Sequence, residues 1–203
     1  MQIGKKVMIA KTAIIHPNVK LGKNVTVEDY CIIGGPLKDG SMPETVIGDN
    51  AYIRSFTVIY PGNQIGNNFQ TGNKTNIREF NKIGNNVSIG TLSVVEHHVV
   101  IEDNVRIHTS AFVPEFSTLK NGCWIGPHVV LTNAKVPLAA DAKEKLKGPT
   151  IEAGAIVGAN STLSPGITIH KGSLIGSGSN VTKDIEAKTI AYGPSASIKK
   201  ARK

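Results

Sequence analysis

Large aromatic side chains are nearly missing from this chain: Trp, Tyr and Phe together make up 5% of 203 residues, beside 21 Gly. A conventional sandwich or α/β core leans on such side chains, so their scarcity points to an architecture of many small, regular units. Cysteine is almost absent too. Cys31 and Cys123 make neither a disulfide framework nor a metal site, and they suit a reduced compartment. Long apolar runs are missing as well. The start Met1-Gln2-Ile3-Gly4-Lys5-Lys6-Val7 is charged and the apolar stretch behind it is broken by Lys11, which makes a poor signal peptide and no membrane span. The expectation is a cytoplasmic protein. Acids are outnumbered, with 15 Asp and Glu against 23 Lys and Arg and a net charge of +8. That balance favours an anionic partner such as nucleic acid, an acidic membrane surface or a phosphate-rich small molecule.

What the chain does have is a six-residue beat. From Ile47 an aliphatic residue returns at every sixth position, through Ile53, Ile59, Ile65, Ile77, Ile83, Ile89, Val95, Ile101, Ile107, Val113, Leu119 and Ile125 to Leu131, broken only by Thr71. Four residues after most of these stands a small one, such as Ala51, Thr57, Ser93, Ala111 or Cys123. The same beat runs in an earlier phase from Ile3 to Ile33 and in a later one from Ile151 to Val181. Two insertions, near 34–46 and 134–150, reset the phase and read as loops. The second contains the helix formers of 139–146, which predict a short helix or a flap.

One large and one small inward residue per six means a short strand and a tight turn, with Gly, Asn and Asp supplying turn residues that tolerate positive φ. Three strands then close a triangular coil of eighteen residues. In this the chain resembles the hexapeptide-repeat acyltransferases, and the resemblance implies an all-β fold, a left-handed parallel β-helix over 1–186, with a basic extension over 187–203 as a tail or short helix.

Stacking at eighteen residues places Glu79, His97, Glu115 and Asn133 in one column and Phe80, His98 and Phe116 in the next. Neighbouring strands lie about 4.8 Å apart, so His97 is expected one coil from each of two carboxylates, an environment that suits a general base. His98 is expected between two aromatic rings as a support. The run Val95-Glu96-His97-His98-Val99 is similar to the Val-Glu-His-acid segment of the sialic acid O-acetyltransferase and nucleotide-aminosugar N-acetyltransferase branch. There the His is the proposed base and the following acid orients it. The resemblance puts His97 on the base. His98 replaces the acid, leaving orientation to Glu79, Glu115 or Glu96. Arg106 falls where that branch often carries a second His near the acyl group.

The stretch 69–80 also resembles segments of transferases acting on nucleotide-linked amino sugars, which makes Asn73, Asn76 and Arg78, with Asn133, candidates for contacting sugar hydroxyls or a diphosphate. The late stretches 157–163 and 175–185 look like the coenzyme A-binding end of these enzymes. Gly158 and Ser177 would let a pantetheine arm approach the backbone, and Lys183 would lie near the adenosine phosphates, helped by Lys199, Lys200, Arg202 and Lys203.

Together these features predict an acyl-CoA-dependent N-acyltransferase, with acetyl-CoA or a longer acyl-CoA as co-substrate and a nucleotide-linked amino sugar as acceptor. A homotrimer is implied by the resemblance. The alternative is O-acetylation of a sugar or serine hydroxyl. A zinc enzyme of the β-helix carbonic anhydrase kind ranks below both: none of His16, His97, His98, His108, His128 and His170 form the pair separated by four residues that those enzymes use, and no metal is expected. Nucleic acid and membrane are not expected partners, because Lys and Arg are spread along the chain and aromatic platforms are few.

Overall fold

The computed structural model describes residues 2–3, 5–194 and 197–201, the side chains of Ile3 and 197–201 left aside. Short strands, mostly of two residues, alternate with four-residue turns and stack into three sheets of nine, eleven and nine strands, parallel except for the last pair of the second sheet. The chain visits the first, second and third face in rotation. The pairs Gln64↔Lys82, Ser88↔Arg106 and Val94↔Phe112 fix the stacking at eighteen residues. This is the expected parallel β-helix, and its six-residue rungs are consistent with the left-handed form.

Every position in the series from Ile47 to Leu131 is buried, as are the small residues four places on. Thr71 is buried as well. Its hydroxyl lies 3.2 Å from that of Thr57, and Phe69, two residues earlier and fully buried, supplies bulk where other coils carry a small residue. The turns enter left-handed φ once per corner, at Asn50 (φ 60°), Asn68 (56°), Asn86 (55°) and Asn104 (62°) along the corner between the first and second faces. There the asparagine amides form a ladder, each donating to the next at 2.8–3.2 Å. A short polar side chain makes that conformation tolerable and satisfies its own amide.

The insertions sit where expected, but their form differs. Val19 pairs with Thr45, 26 residues on instead of 18, and Thr118 pairs with Thr150, 32 residues on. The extra residues leave the stack on either side undisturbed. The second insertion holds a single 3-10 turn, Ala142–Lys145, whose residues are not buried. At the far end the described residues form no helix: Thr189–Tyr192 continues the second sheet and pairs antiparallel with Ser197–Ala201. Arg202 and Lys203, and the side chains of Lys199 and Lys200, lie outside the described residues. Among the described residues no helix is long and apolar enough to cross a membrane.

Candidate active site

Both insertions spring from one corner. The first leaves the third face after Ile32–Ile33 and rejoins the first face at Thr45–Ile47, while the second leaves after Val130–Leu131 and rejoins at Thr150–Ile151. Between them four plain turns, 60–63, 78–81, 96–99 and 114–117, cross the same corner and carry most of the expected acid–base residues.

His97 and His98 occupy the third of these turns. Their Nδ1 atoms lie 2.9 Å apart and their rings are nearly perpendicular, at 89°. His98 takes the left-handed position of the turn (φ 55°) and is sandwiched between Phe80 and Phe116, with ring centroids at 5.2 and 5.8 Å. The backbone of the turn is anchored beneath it. Fully buried Asn81 accepts from the Val99 amide at 2.7 Å and donates to the Arg78 carbonyl at 2.8 Å, while Asn63, one coil earlier, accepts from the Asn81 amide. Neither asparagine was a sequence candidate. Both stand where other coils put a small inward residue, and a polar amide in that column was the available signal.

His97 Nε2 points to Glu115 Oε1 at 3.7 Å, close enough for charge but too far for a hydrogen bond. Asn133 donates to the other oxygen of Glu115 at 2.7 Å, so the column Asn133–Glu115–His97 is physically continuous. Glu79 departs from the expected picture. Its two oxygens accept from Arg78 Nε and Nη2 at 2.8 and 2.9 Å, and Arg78 Nη1 reaches Glu96 at 3.4 Å. Glu79 is therefore engaged sideways with Arg78, and the group oriented toward His97 Nδ1 is His98. Arg78, expected as a ligand for hydroxyls or a diphosphate, has all three nitrogens committed to carboxylates and lies over the Tyr60 ring at 5.1 Å.

These contacts separate the two carboxylates. Burial works to raise the Glu79 carboxyl, but the Arg78 hydrogen bonds, with lesser help from the Arg78 and His97 charges, hold it below its ordinary value. Burial prevails at Glu96, where the attraction of Arg78 is weaker and the nearby Glu115 adds repulsion, so that carboxyl is raised. The first insertion closes one side of this corner: Pro36, Leu37, Lys38 and Asp39 face Tyr60, Arg78 and Glu79 across an open cavity of about 580 Å³.

The remaining candidates lie elsewhere. Asn73 sits at the corner between the second and third faces, its backbone amide bonded to Thr91 at 3.2 Å, and Asn76 lies outward on the third face between Val58 and Val94. Gly158 and Ser177 share the second-to-third corner, and a Cβ on Gly158 would stand 2.6 Å from the Ser177 nitrogen, so only glycine permits that approach. Lys183 is exposed just past the third-face strand Asn180–Val181. Arg106 projects from the second face into a notch with Asn68, Gln70, Asn86 and Ser88, and its guanidinium donates to the Asn86 carbonyl. In a triangular coil that face lies opposite the His97 corner. Arg106, expected near the acyl group, therefore lies away from the His97 site of the same chain. Among the described residues no group of three or more His, Cys, Asp or Glu is placed to hold a metal ion.

Residues 82–115 match the bacterial transferase hexapeptide family (six repeats), and 150–183 match the hexapeptide repeat of succinyl-transferase. A galactoside O-acetyltransferase of Lactococcus lactis is 34% identical over 84 residues, 39% of this chain and 41% of that protein. The bifunctional protein GlmU of Carboxydothermus hydrogenoformans is 29% identical over 206 residues, 98% of this chain and 41% of that protein. The chain thus spans about two-fifths of the length of these relatives. Among solved structures, the UDP-N-acetylglucosamine acyltransferase of Francisella novicida superposes with a TM-score of 0.53 at 16% identity, covering 96% of this chain and 70% of that one. That of Bacteroides fragilis gives 0.53 at 20%, covering 96% and 74%. Repeat, coil geometry and these matches show a hexapeptide-repeat β-helix whose segments 82–115 and 150–183 are similar to the repeats of bacterial transferases.

Proposed function

We propose that the chain is an acyl-CoA-dependent acyltransferase, acting on the amine of a nucleotide-linked amino sugar with His97 as the general base. The observation that carries this reading is the 2.9 Å contact between the two Nδ1 atoms beside a His97 Nε2 that faces Glu115 at the insertion-flanked corner. One Nδ1 must donate and the other accept. With His97 as donor, His98 carries its proton on Nε2, and His97 Nε2 keeps a lone pair on the side of Glu115. The acceptor nitrogen attacks the thioester carbonyl and forms the C–N bond. His97 Nε2 takes its proton, the C–S bond breaks, and the proton passes to the departing CoA thiolate. Glu115 stabilises the transient imidazolium, and His98 fills the orienting role without a charge of its own.

On this reading acetyl-CoA or a longer acyl-CoA lies along the corner of Gly158 and Ser177, with Lys183 near its phosphates. The third face supports self-assembly: Ile14, Ile32, Val58, Val94, Phe112 and Val130 form an outward column that is apolar except for Asn76 between Val58 and Val94, with Ile14 53% exposed. Two further copies covering it would make the expected homotrimer and bring the donor-end residues of one chain beside the His97 corner of the next.

Transfer to a hydroxyl is the second reading, favoured by the similarity to a galactoside O-acetyltransferase. A thiol-release screen separates them, with nucleotide-linked amino sugars and plain sugars tested against acetyl-CoA and longer acyl-CoAs. Turnover with amines supports N-transfer, and turnover confined to hydroxyl acceptors replaces it with O-transfer. Release with neither rejects the enzyme.

A further inference from the structure

We propose that the cavity between the first insertion and Tyr60 is a sugar-ring subsite that accepts an uncharged or amine-bearing ring and excludes a phosphate. The inference rests on the acyltransferase reading for its position beside the chemistry, and adds residues and a substrate class which that reading does not contain.

The cavity holds about 580 Å³, in the range of small-molecule sites. Its apolar parts are Pro36 and Leu37 on the loop side and Tyr60 on the coil side, one coil before Arg78. The Tyr60 ring is already paired with the Arg78 guanidinium at 5.1 Å, and Arg78 is fixed by Glu79 and Glu96. A flat, rigid floor of ring and guanidinium edge therefore faces the loop. Such a floor suits the apolar face of a pyranose, with the ring hydroxyls left to the polar rim.

Charge sets the selectivity. Lys38 and Arg78 stand against Asp39 and Glu79 at the cavity and Glu96 and Glu115 on the next two coils, an acidic surround in a chain of net charge +8. Arg78, the residue that could clamp a phosphate with two parallel bonds, presents that pair of nitrogens to Glu79 instead. A phosphate on the ring would have to displace Glu79 or be left with the single Lys38 ammonium beside carboxylates, whereas an ammonium or hydroxyl meets no such penalty. The phosphates of a nucleotide-linked acceptor must then lie outside this cavity.

Saturation-transfer NMR titrations on the full chain, without acyl donor, test the assignment with two probes: methyl glucosaminide, and glucosamine phosphate esterified on its exocyclic carbon. The expected result is binding of the first, and about tenfold or more weaker binding of the second. Tyr60→Ala should weaken the first probe by a similar factor, Tyr60→Phe should preserve binding, and Glu79→Gln should narrow the gap between the probes. Should Tyr60→Ala fail to fold by circular dichroism, Leu37→Asp on the opposite wall, outside the coil, is expected to give the same loss. Undetectable binding of methyl glucosaminide, equal binding of the two probes, or indifference of binding to these substitutions overturns the proposal. Sugar binding through Tyr60 in a chain that releases no thiol from acyl-CoA would instead overturn the acyltransferase reading and leave this one standing.

Discussion

Two corners of the same coil use the same turn for different ends. Between the first and second faces, Asn50, Asn68, Asn86 and Asn104 take the left-handed position and spend their amides on one another. Between the third and first faces, that position holds Gly62, Phe80, His98 and Phe116, and the polar duty has moved inward to Asn63 and Asn81. Moving the hydrogen bonds into the core frees the outer side chains of this corner. Glu96, His97 and Glu115 are not needed to make the turn, which is why they are available for chemistry.

The largest effect that would break this contrast is on turnover. His97→Ala is expected to lower kcat by about 10²–10⁴-fold with acceptor binding nearly unchanged, read by thiol release and by titration. An unchanged rate across pH would leave positioning as the whole of the catalysis. Next, Asn81→Ala, which orphans the buried Val99 amide and leaves the Arg78 carbonyl with only its bond from Asn63, should cost ~1–3 kcal/mol in denaturant unfolding, whereas Asn68→Gly on the exposed ladder should cost well under ~1 kcal/mol. Equal costs would erase the distinction between the corners. His98→Asp keeps a side chain that tolerates positive φ and can still accept from His97 Nδ1. Its rate is expected to stay within about tenfold of the parent, with the acid limb of the pH–rate profile moved upward because a carboxylate raises the basicity of His97. No movement of that limb would mean that the Nδ1 contact does not orient the base.

The smallest effect concerns pH and stability. Glu79 is held below its ordinary value, so its contribution is fully present above the unfolded-state pKa and is lost as pH falls through the depressed one. Glu79→Gln should flatten acid-side unfolding by ~1 kcal/mol or less, the pair being partly exposed. Glu96, raised by burial, has the opposite sign: its stabilising effect is present at low pH and lost as pH rises through its raised value. Glu96→Gln removes that opposing contribution and should therefore slightly steepen the loss of stability toward acid, and thermal melts from acid to neutral pH check both signs.

The coil was legible because its physics is periodic. Each inward residue from Ile47 to Leu131 repeats the same burial, and even Thr71 has its volume partner in Phe69. The stacking of His98 between phenylalanines follows from the same arithmetic, since eighteen residues make one turn. What the period could not carry is where a long side chain turns within its rung. Arg78 and Glu79 are adjacent in sequence and could have faced separate neighbours, yet they close on each other, which removes Glu79 from His97. The insertions were visible as phase breaks, but that both leave one corner emerges only from counting faces. The cavity beneath Pro36–Asp39 depends on a loop conformation that no period encodes.

Because the two insertions are tied to a stack that tolerates change only in whole coils, the separation between them is quantised. Removing or adding one eighteen-residue unit would shift the first insertion relative to His97 by about 4.8 Å while leaving every turn and rung chemically intact. Lengthening a loop alters the wall of the cavity without altering that step. Such a scaffold can retune the depth of its acceptor groove in discrete increments and its lining continuously, two independent adjustments within one fold.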